Sequence, residues 1–113
     1  MIEYKWVVSA MENYPKADNL DNVVFLVHWR RQASEVDEEK TWAAETYGAQ
    51  SMPAPSPEDY TPYEDLTFEQ VCGWLEATLN VEAIDESLAN QIEEQKNPKV
   101  LQLPLPWNNQ LNN

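Results

Sequence analysis

Val23-Val24-Phe25-Leu26-Val27-His28-Trp29-Arg30 is the stretch that decides the fold. Six apolar residues, β-branched and aromatic among them, stand in eight positions with no glycine or proline, which predicts a strand near the centre of a sheet. Its neighbours predict the partners. Tyr4 to Met11 alternates, with Tyr4, Trp6, Val8 and Ala10 against Lys5, Val7, Ser9 and Met11, and predicts a first strand. The turn formers of 13–22, Asn13-Tyr14-Pro15-Lys16-Ala17-Asp18-Asn19-Leu20-Asp21-Asn22, predict the connection between the two. On the other side, the acidic run Glu35-Val36-Asp37-Glu38-Glu39 interrupts the apolar pattern before Thr41-Trp42-Ala43-Ala44-Glu45-Thr46-Tyr47-Gly48-Ala49. A hairpin then returns the chain as a third antiparallel strand.

Further along, the pattern changes from strand to helix. Pro53, Pro55, Pro57 and Pro62 fall within Ser51–Tyr63 and remove backbone donors, so 51–65 is a proline-rich linker whose Tyr60 and Tyr63 rest on the domain. Thr67-Phe68-Glu69-Gln70 has the form of a capping box, with Leu66 and Val71 placed for a hydrophobic staple, and starts a helix at Phe68. Val71, Trp74, Leu75, Thr78 and Leu79 form its buried face. Ile84, Leu88 and Ile92 recur every four residues on a second helix that Asn97-Pro98 stops. Beyond it, Val100-Leu101-Gln102-Leu103-Pro104-Leu105-Pro106-Trp107 is apolar and stiffened by proline, neither helix nor inner strand. Such a tail calls for a cover, on its own domain or on another protein. Its own domain is the favoured cover, because an exposed Leu-Pro-Leu-Pro-Trp invites aggregation.

The predicted architecture is α+β: an antiparallel sheet of at least three strands against two C-terminal helices, with an extended proline-containing tail. At 113 residues this is one domain over 1–107: sheet region 1–50, linker 51–65, helix pair 66–97, docking tail 98–107. Residues 108–113 read as a flexible extension. Trp6, Trp29, Trp42 and Trp74 are assigned to one core between sheet and helices.

Composition narrows the function. Twenty acidic against seven basic residues give a net charge of −13, which opposes direct binding to nucleic acid or to an anionic membrane. Cys72, the only cysteine, excludes an intrachain disulfide and a cysteine-based zinc cluster, and with the absence of an export signal or membrane-length apolar run it predicts a soluble protein assembled inside a cell. Gly48 and Gly73 are the only glycines, too few for a phosphate-binding loop. His28, the only histidine, has no nucleophile or acid beside it in the sequence and reads as structural. Cys72 reads as a small hydrophobe. The carboxylates at 35–39 and at 58–65 lack the spacing of a calcium loop. No catalytic, cofactor or metal residues are assigned; the chemistry on offer is binding, through Pro104, Leu105, Pro106 and Trp107 with Tyr60 and Tyr63.

The order Trp6-Val7-Val8-Ser9-Ala10-Met11, then Val27-His28-Trp29, then Leu66-Thr67 with Gly73-Trp74, and finally Leu103-Pro104-Leu105-Pro106-Trp107, resembles a family of small proteins of tailed bacteriophages. The resemblance implies a non-enzymatic virion component of the tail, baseplate, connector or capsid surface, made in the host cytoplasm. Its partners would be other phage structural proteins or further copies of itself. The acidic surface supports an alternative, a phage-encoded inhibitor of a host nucleic-acid-binding protein.

Overall fold

The computed structural model describes residues 1–107; the extension expected at 108–113 lies outside them. Three antiparallel strands run in the order β1-β2-β3, with β1 at Glu3–Ala17, β2 at Leu20–Asp37 and β3 at Lys40–Ser51. The helices α1, Phe68–Thr78, and α2, Val81–Lys96, follow a short 3-10 turn at Tyr63–Asp65. This is the α+β arrangement read from the sequence. At roughly 3.3 Å per residue the 18 residues of β2 span about 60 Å. Strand length therefore sets the molecular shape, 70 × 31 × 21 Å.

The strands are longer than their apolar stretches because both hairpins close with only two residues. Ala17 pairs with Leu20 and Asp37 with Lys40. Asp18 and Asn19 hold φ of 49° and 66°, and Glu38 and Glu39 hold 51° and 66°, the left-handed pair that matches the twist of a two-residue hairpin. So the turn-former segment 13–22 is mostly strand, and the acidic run 35–39 is half strand and half turn. Pro15 falls on β1, an edge strand, where proline is tolerated, and it stands outside the paired register between Tyr14–Val23 and Lys16–Asp21.

Two register shifts correct the simple alternation. One falls between Val8 and Ala10, so Tyr4, Trp6, Val8 and Met11 share the helix side while Ala10 turns away. The other falls between Glu12 and Asn13, opposite Phe25. Phe25 leaves the face of Val27 and Trp29 and stacks on Tyr14, with ring centroids 4.2 Å apart. Without these bulges one strand half would present its polar side to the core.

The helices cover one face of the sheet, and the core divides in two along it. Trp6, Val24, Val27 and Trp29 pack with Val71, Cys72 and Leu75 of α1, joined by Leu66 and Trp74. Trp6 and Trp29 meet edge to face at 5.7 Å. A second cluster joins Ala33 to Leu88 and Ile92 of α2, with Tyr4 and Trp42 against it. Trp42 therefore belongs to another cluster than Trp6, Trp29 and Trp74: a sheet this long outreaches either helix. Leu75, Leu88 and Val27 are fully buried, each contributing about 1.5–3 kcal/mol relative to exposure.

Each helix starts at a side-chain cap. Thr67 accepts from the Gln70 amide at 3.1 Å, and Asn80 accepts from the Ala83 amide at 3.1 Å. Only half of the capping box forms, because the Gln70 side chain donates to Thr61 at 3.0 Å instead. Leu66 and Val71 meet in the first cluster as the staple requires. Thr78, assigned to the buried face, is exposed and its hydroxyl donates to the Trp74 carbonyl at 2.8 Å.

Candidate partner-binding surface

The proline-rich segment does not cross open solvent. The Met52 amide donates to the Phe25 carbonyl at 2.9 Å, extending the sheet by one bond. Further on, the Tyr60 hydroxyl donates to the Asp21 carbonyl and ties the segment to the start of β2. Between those two anchors the chain arches over a cavity of about 350 Å³, at the small end of the range for ligand sites. Val23 and Val24 of β2 line one wall, Met52, Pro53 and Pro55 a second, and Leu66, Trp74 and Ala77 a third, with Tyr60 at the rim. The lining is mostly apolar because proline offers no donor and the helix turns its half-buried indole inward.

The tail lies apart from this cavity. Leu101, Leu103, Leu105 and Trp107 are 64, 71, 47 and 61% exposed, and no tail residue lines the cavity. The expectation that the domain covers its own tail is overturned: α2 releases the chain at the far end of the molecule. There Lys96 pairs with Glu35 and reaches Asp37 at 3.5 Å, fixing the helix terminus beside the β2–β3 hairpin. The cavity sits beside the β1–β2 hairpin. Of the six residues assigned to partner binding, Tyr60 lines the cavity, Tyr63 stands 39% exposed in the short turn, and Pro104, Leu105, Pro106 and Trp107 are all exposed in the tail. The structure does not gather them into one patch.

The uncovered face of the sheet is polar. His28 and Glu12 meet diagonally across β1 and β2 at 2.6 Å, both part-exposed, so the fold sets beside the only histidine an acid that the sequence did not place there. Glu45 accepts from Gln32 at 2.6 Å and from Arg30 at 2.8 Å, contacts that hold its carboxyl below the usual carboxylate range. Cys72 is buried in α1, and burial, with Glu76 and Glu69 nearby, pushes its thiol up, the opposite of what a nucleophilic thiol requires. Among the described residues no three histidine, cysteine or acidic side chains cluster to hold a metal ion, and no helix is long and apolar enough to cross a membrane.

Sequence reasoning missed the Arg31 contacts. From β2 its guanidinium meets Asp85 of α2 at 2.9 and 3.1 Å while lying 4.6 Å from the Trp6 ring centroid and 5.6 Å from that of Tyr4. The cavity was missed as well, since its walls come from three separated segments; the only hint in the chain was Tyr60 among the prolines. No curated protein and no solved structure matches this chain. Residues 1–107 match one family, and with all but six of 113 residues covered the chain belongs to that family, described as a domain of unknown function (DUF7936).

Proposed function

We propose that the chain acts by protein–protein binding, as a non-enzymatic structural component of a bacteriophage particle in the tail, baseplate, connector or capsid surface. The observation that carries the binding role is the tail: Val100, Leu101, Leu103, Leu105 and Trp107 are 47 to 86% exposed on a backbone stiffened by three prolines. Large apolar side chains left in water on a segment that loses little entropy on docking favour a partner. The particle setting rests on the resemblance carried by the Val-His-Trp strand, the Gly-Trp pair and the closing Pro-Leu-Pro-Trp.

Mass spectrometry of purified particles tests this reading. A structural role requires the chain at a fixed stoichiometry to the major particle proteins; its absence from particles overturns the role. The charge of −13 favours a second reading, an acidic inhibitor laid on a basic nucleic-acid-binding site of a host protein. That reading requires capture of such a protein by the chain, lost steeply as salt rises.

A further inference from the structure

We propose that β3 pairs along its free edge with β3 of a second copy, antiparallel about a two-fold axis at Gly48, so that two three-stranded sheets become one. This surface is separate from the tail, and the contact stands whichever partner the tail takes.

The backbone groups of β3 divide by position. The Met52 amide donates to the Phe25 carbonyl directly opposite, which sets the phase of the β2–β3 ladder. Even-numbered residues of β3 bond to β2, and odd-numbered ones aim amide and carbonyl outward. Gln95 of α2 agrees with that phase, reaching the Ala43 carbonyl from outside at 2.7 Å, and so closes the first half of the edge. Past it, the amides of Glu45, Tyr47, Ala49 and Ser51 and the carbonyls of the first three have no bonding partner among the described residues. The Ser51 carbonyl takes only a 3.4 Å contact from the Gln50 side chain.

The opposite edge of the sheet is guarded. β1 carries Pro15 and two register shifts, devices that blunt pairing with another strand. β3 runs from Lys40 to Ser51 with neither, and an edge so regular is a template for a further strand.

The residues on that edge select a second copy as the strand it takes. Among two-fold registers, the one centred on Gly48 engages all four free residues and leaves Ala43 to Gln95. It sets Glu45 opposite Ser51 and Tyr47 opposite Ala49, twice each, for about eight backbone bonds. On the open face every large side chain then meets a small one. Tyr47, 76% exposed with Arg30 at 5.8 Å from its ring centroid, lies across the Ala49 methyl of the second copy.

Charge agrees with the same register. Glu45 is the one charged residue in 45–51; it is already met by Arg30 and Gln32, and the Ser51 hydroxyl opposite is a donor. The two Glu45 side chains stand six residues apart along the shared edge, about 20 Å, beyond the screening length in physiological salt. α2 holds Glu82, Asp85, Glu86, Glu93 and Glu94 and touches the edge at Ala43. The two-fold places these contact points about 33 Å apart. A chain carrying −13 therefore meets itself here without setting like charges together, and the contact is self-complementary, as a closed dimer requires.

Full-length chains test the proposal by sedimentation over a concentration series reaching about 1 mM. The native chain passes from monomer to dimer and stops there, and Leu105→Ser/Trp107→Ser, which disables the tail, leaves the association unchanged. Ala49→Pro removes an outward amide while sparing the bonds to β2; its unfolding midpoint stays near that of the native chain and its dimer is lost. Ser51→Glu sets a carboxylate opposite Glu45 and weakens the dimer about fivefold, whereas Ser51→Lys tightens it by about as much, both effects shrinking as salt rises. In a mixture of isotope-labelled and unlabelled native chains, the Tyr47 ring shows a nuclear Overhauser contact to the Ala49 methyl of the other copy. A chain that stays monomeric throughout, with the amides of Glu45, Tyr47, Ala49 and Ser51 exchanging equally fast at both ends of the series, overturns the proposal and leaves the edge to a strand of another protein. Dimers that persist in folded Ala49→Pro, or that respond alike to Ser51→Glu and Ser51→Lys, overturn it as well.

Discussion

Glu38 and Glu39 close the β2–β3 hairpin with φ of 51° and 66°, a left-handed pair for which Asn-Gly is the usual choice. Holding a side chain there costs on the order of 1 kcal/mol, since Cβ crowds the following carbonyl oxygen. Glu39→Gly is expected to stabilise the fold by about 1 kcal/mol, read from the midpoint of urea unfolding. Gly48 stands in the reverse position. It pairs with Trp29 across the β2–β3 ladder, and a Cβ at 48 would lie 2.8 Å from Trp29 Cζ2 and 3.1 Å from its Cε2. The indole is buried and cannot swing aside. Gly48→Ala is expected to cost about 1–3 kcal/mol, with a shift in tryptophan fluorescence as the ring is displaced. The sequence marked Gly48 only as one of two glycines, because nothing local reveals which aromatic ring lies over it.

At the scale of elements, the sheet is tied to α2 at both ends of the helix by charge. Arg31 is the tie near its start, with a side chain 11% exposed, a two-pronged contact to Asp85, and the Trp6 ring against its guanidinium. Arg31→Ala leaves Asp85 shielded and unpaired and uncovers Trp6, and is expected to destabilise by about 2–4 kcal/mol in chemical denaturation. Lys96 is the tie at the other end. Its ammonium donates to Glu35 and holds that carboxyl below its ordinary value of 4.5, against some desolvation and with help from the N-terminal ammonium. Glu35 in turn raises Lys96 above its ordinary 10.5. A lowered carboxyl contributes stability above its unfolded value that is lost as pH falls through the folded value; a raised ammonium contributes below its unfolded value and loses it as pH climbs further. This tie is therefore complete between the two ordinary values. In Lys96→Gln the loss of stability on acidification below about pH 4.5 is expected to be shallower than in the native chain, as followed by urea unfolding across that range. The helices themselves were plain in the sequence: Thr67 and Asn97-Pro98 bound them through local chemistry, whereas Arg31–Asp85 and Lys96–Glu35 join residues more than fifty positions apart.

For the whole molecule, the long hairpin rather than the core sets the dimensions. The Cα radius of gyration is 20.7 Å, against about 13 Å for a compact chain of this length. Because the tail covers none of the core, deleting Val100 to Asn113 is expected to leave stability within about 0.5 kcal/mol of the native chain while abolishing tail-dependent assembly, measured by thermal unfolding and sedimentation. A large fall in stability on deletion would show instead that the tail supports the domain.

Local chemistry determined a good deal by itself. The Val23–Arg30 run, the capping residue Thr67, the four-residue recurrence of Ile84, Leu88 and Ile92, and the stop at Asn97-Pro98 each encode their element through side chains a few residues apart, and together they specify three antiparallel strands followed by two helices. The apolar, proline-stiffened tail was legible for the same reason. Only the tertiary structure decided where that tail ends up. Two bulges set which strand residues face the helices, the long sheet splits the core into two clusters, and Lys96 on Glu35 fixes the end of α2 at one pole while Tyr60 on Asp21 shapes the cavity at the other. Whether a tail meets a cavity is a matter of distance between separated elements, and no spacing along the chain records it.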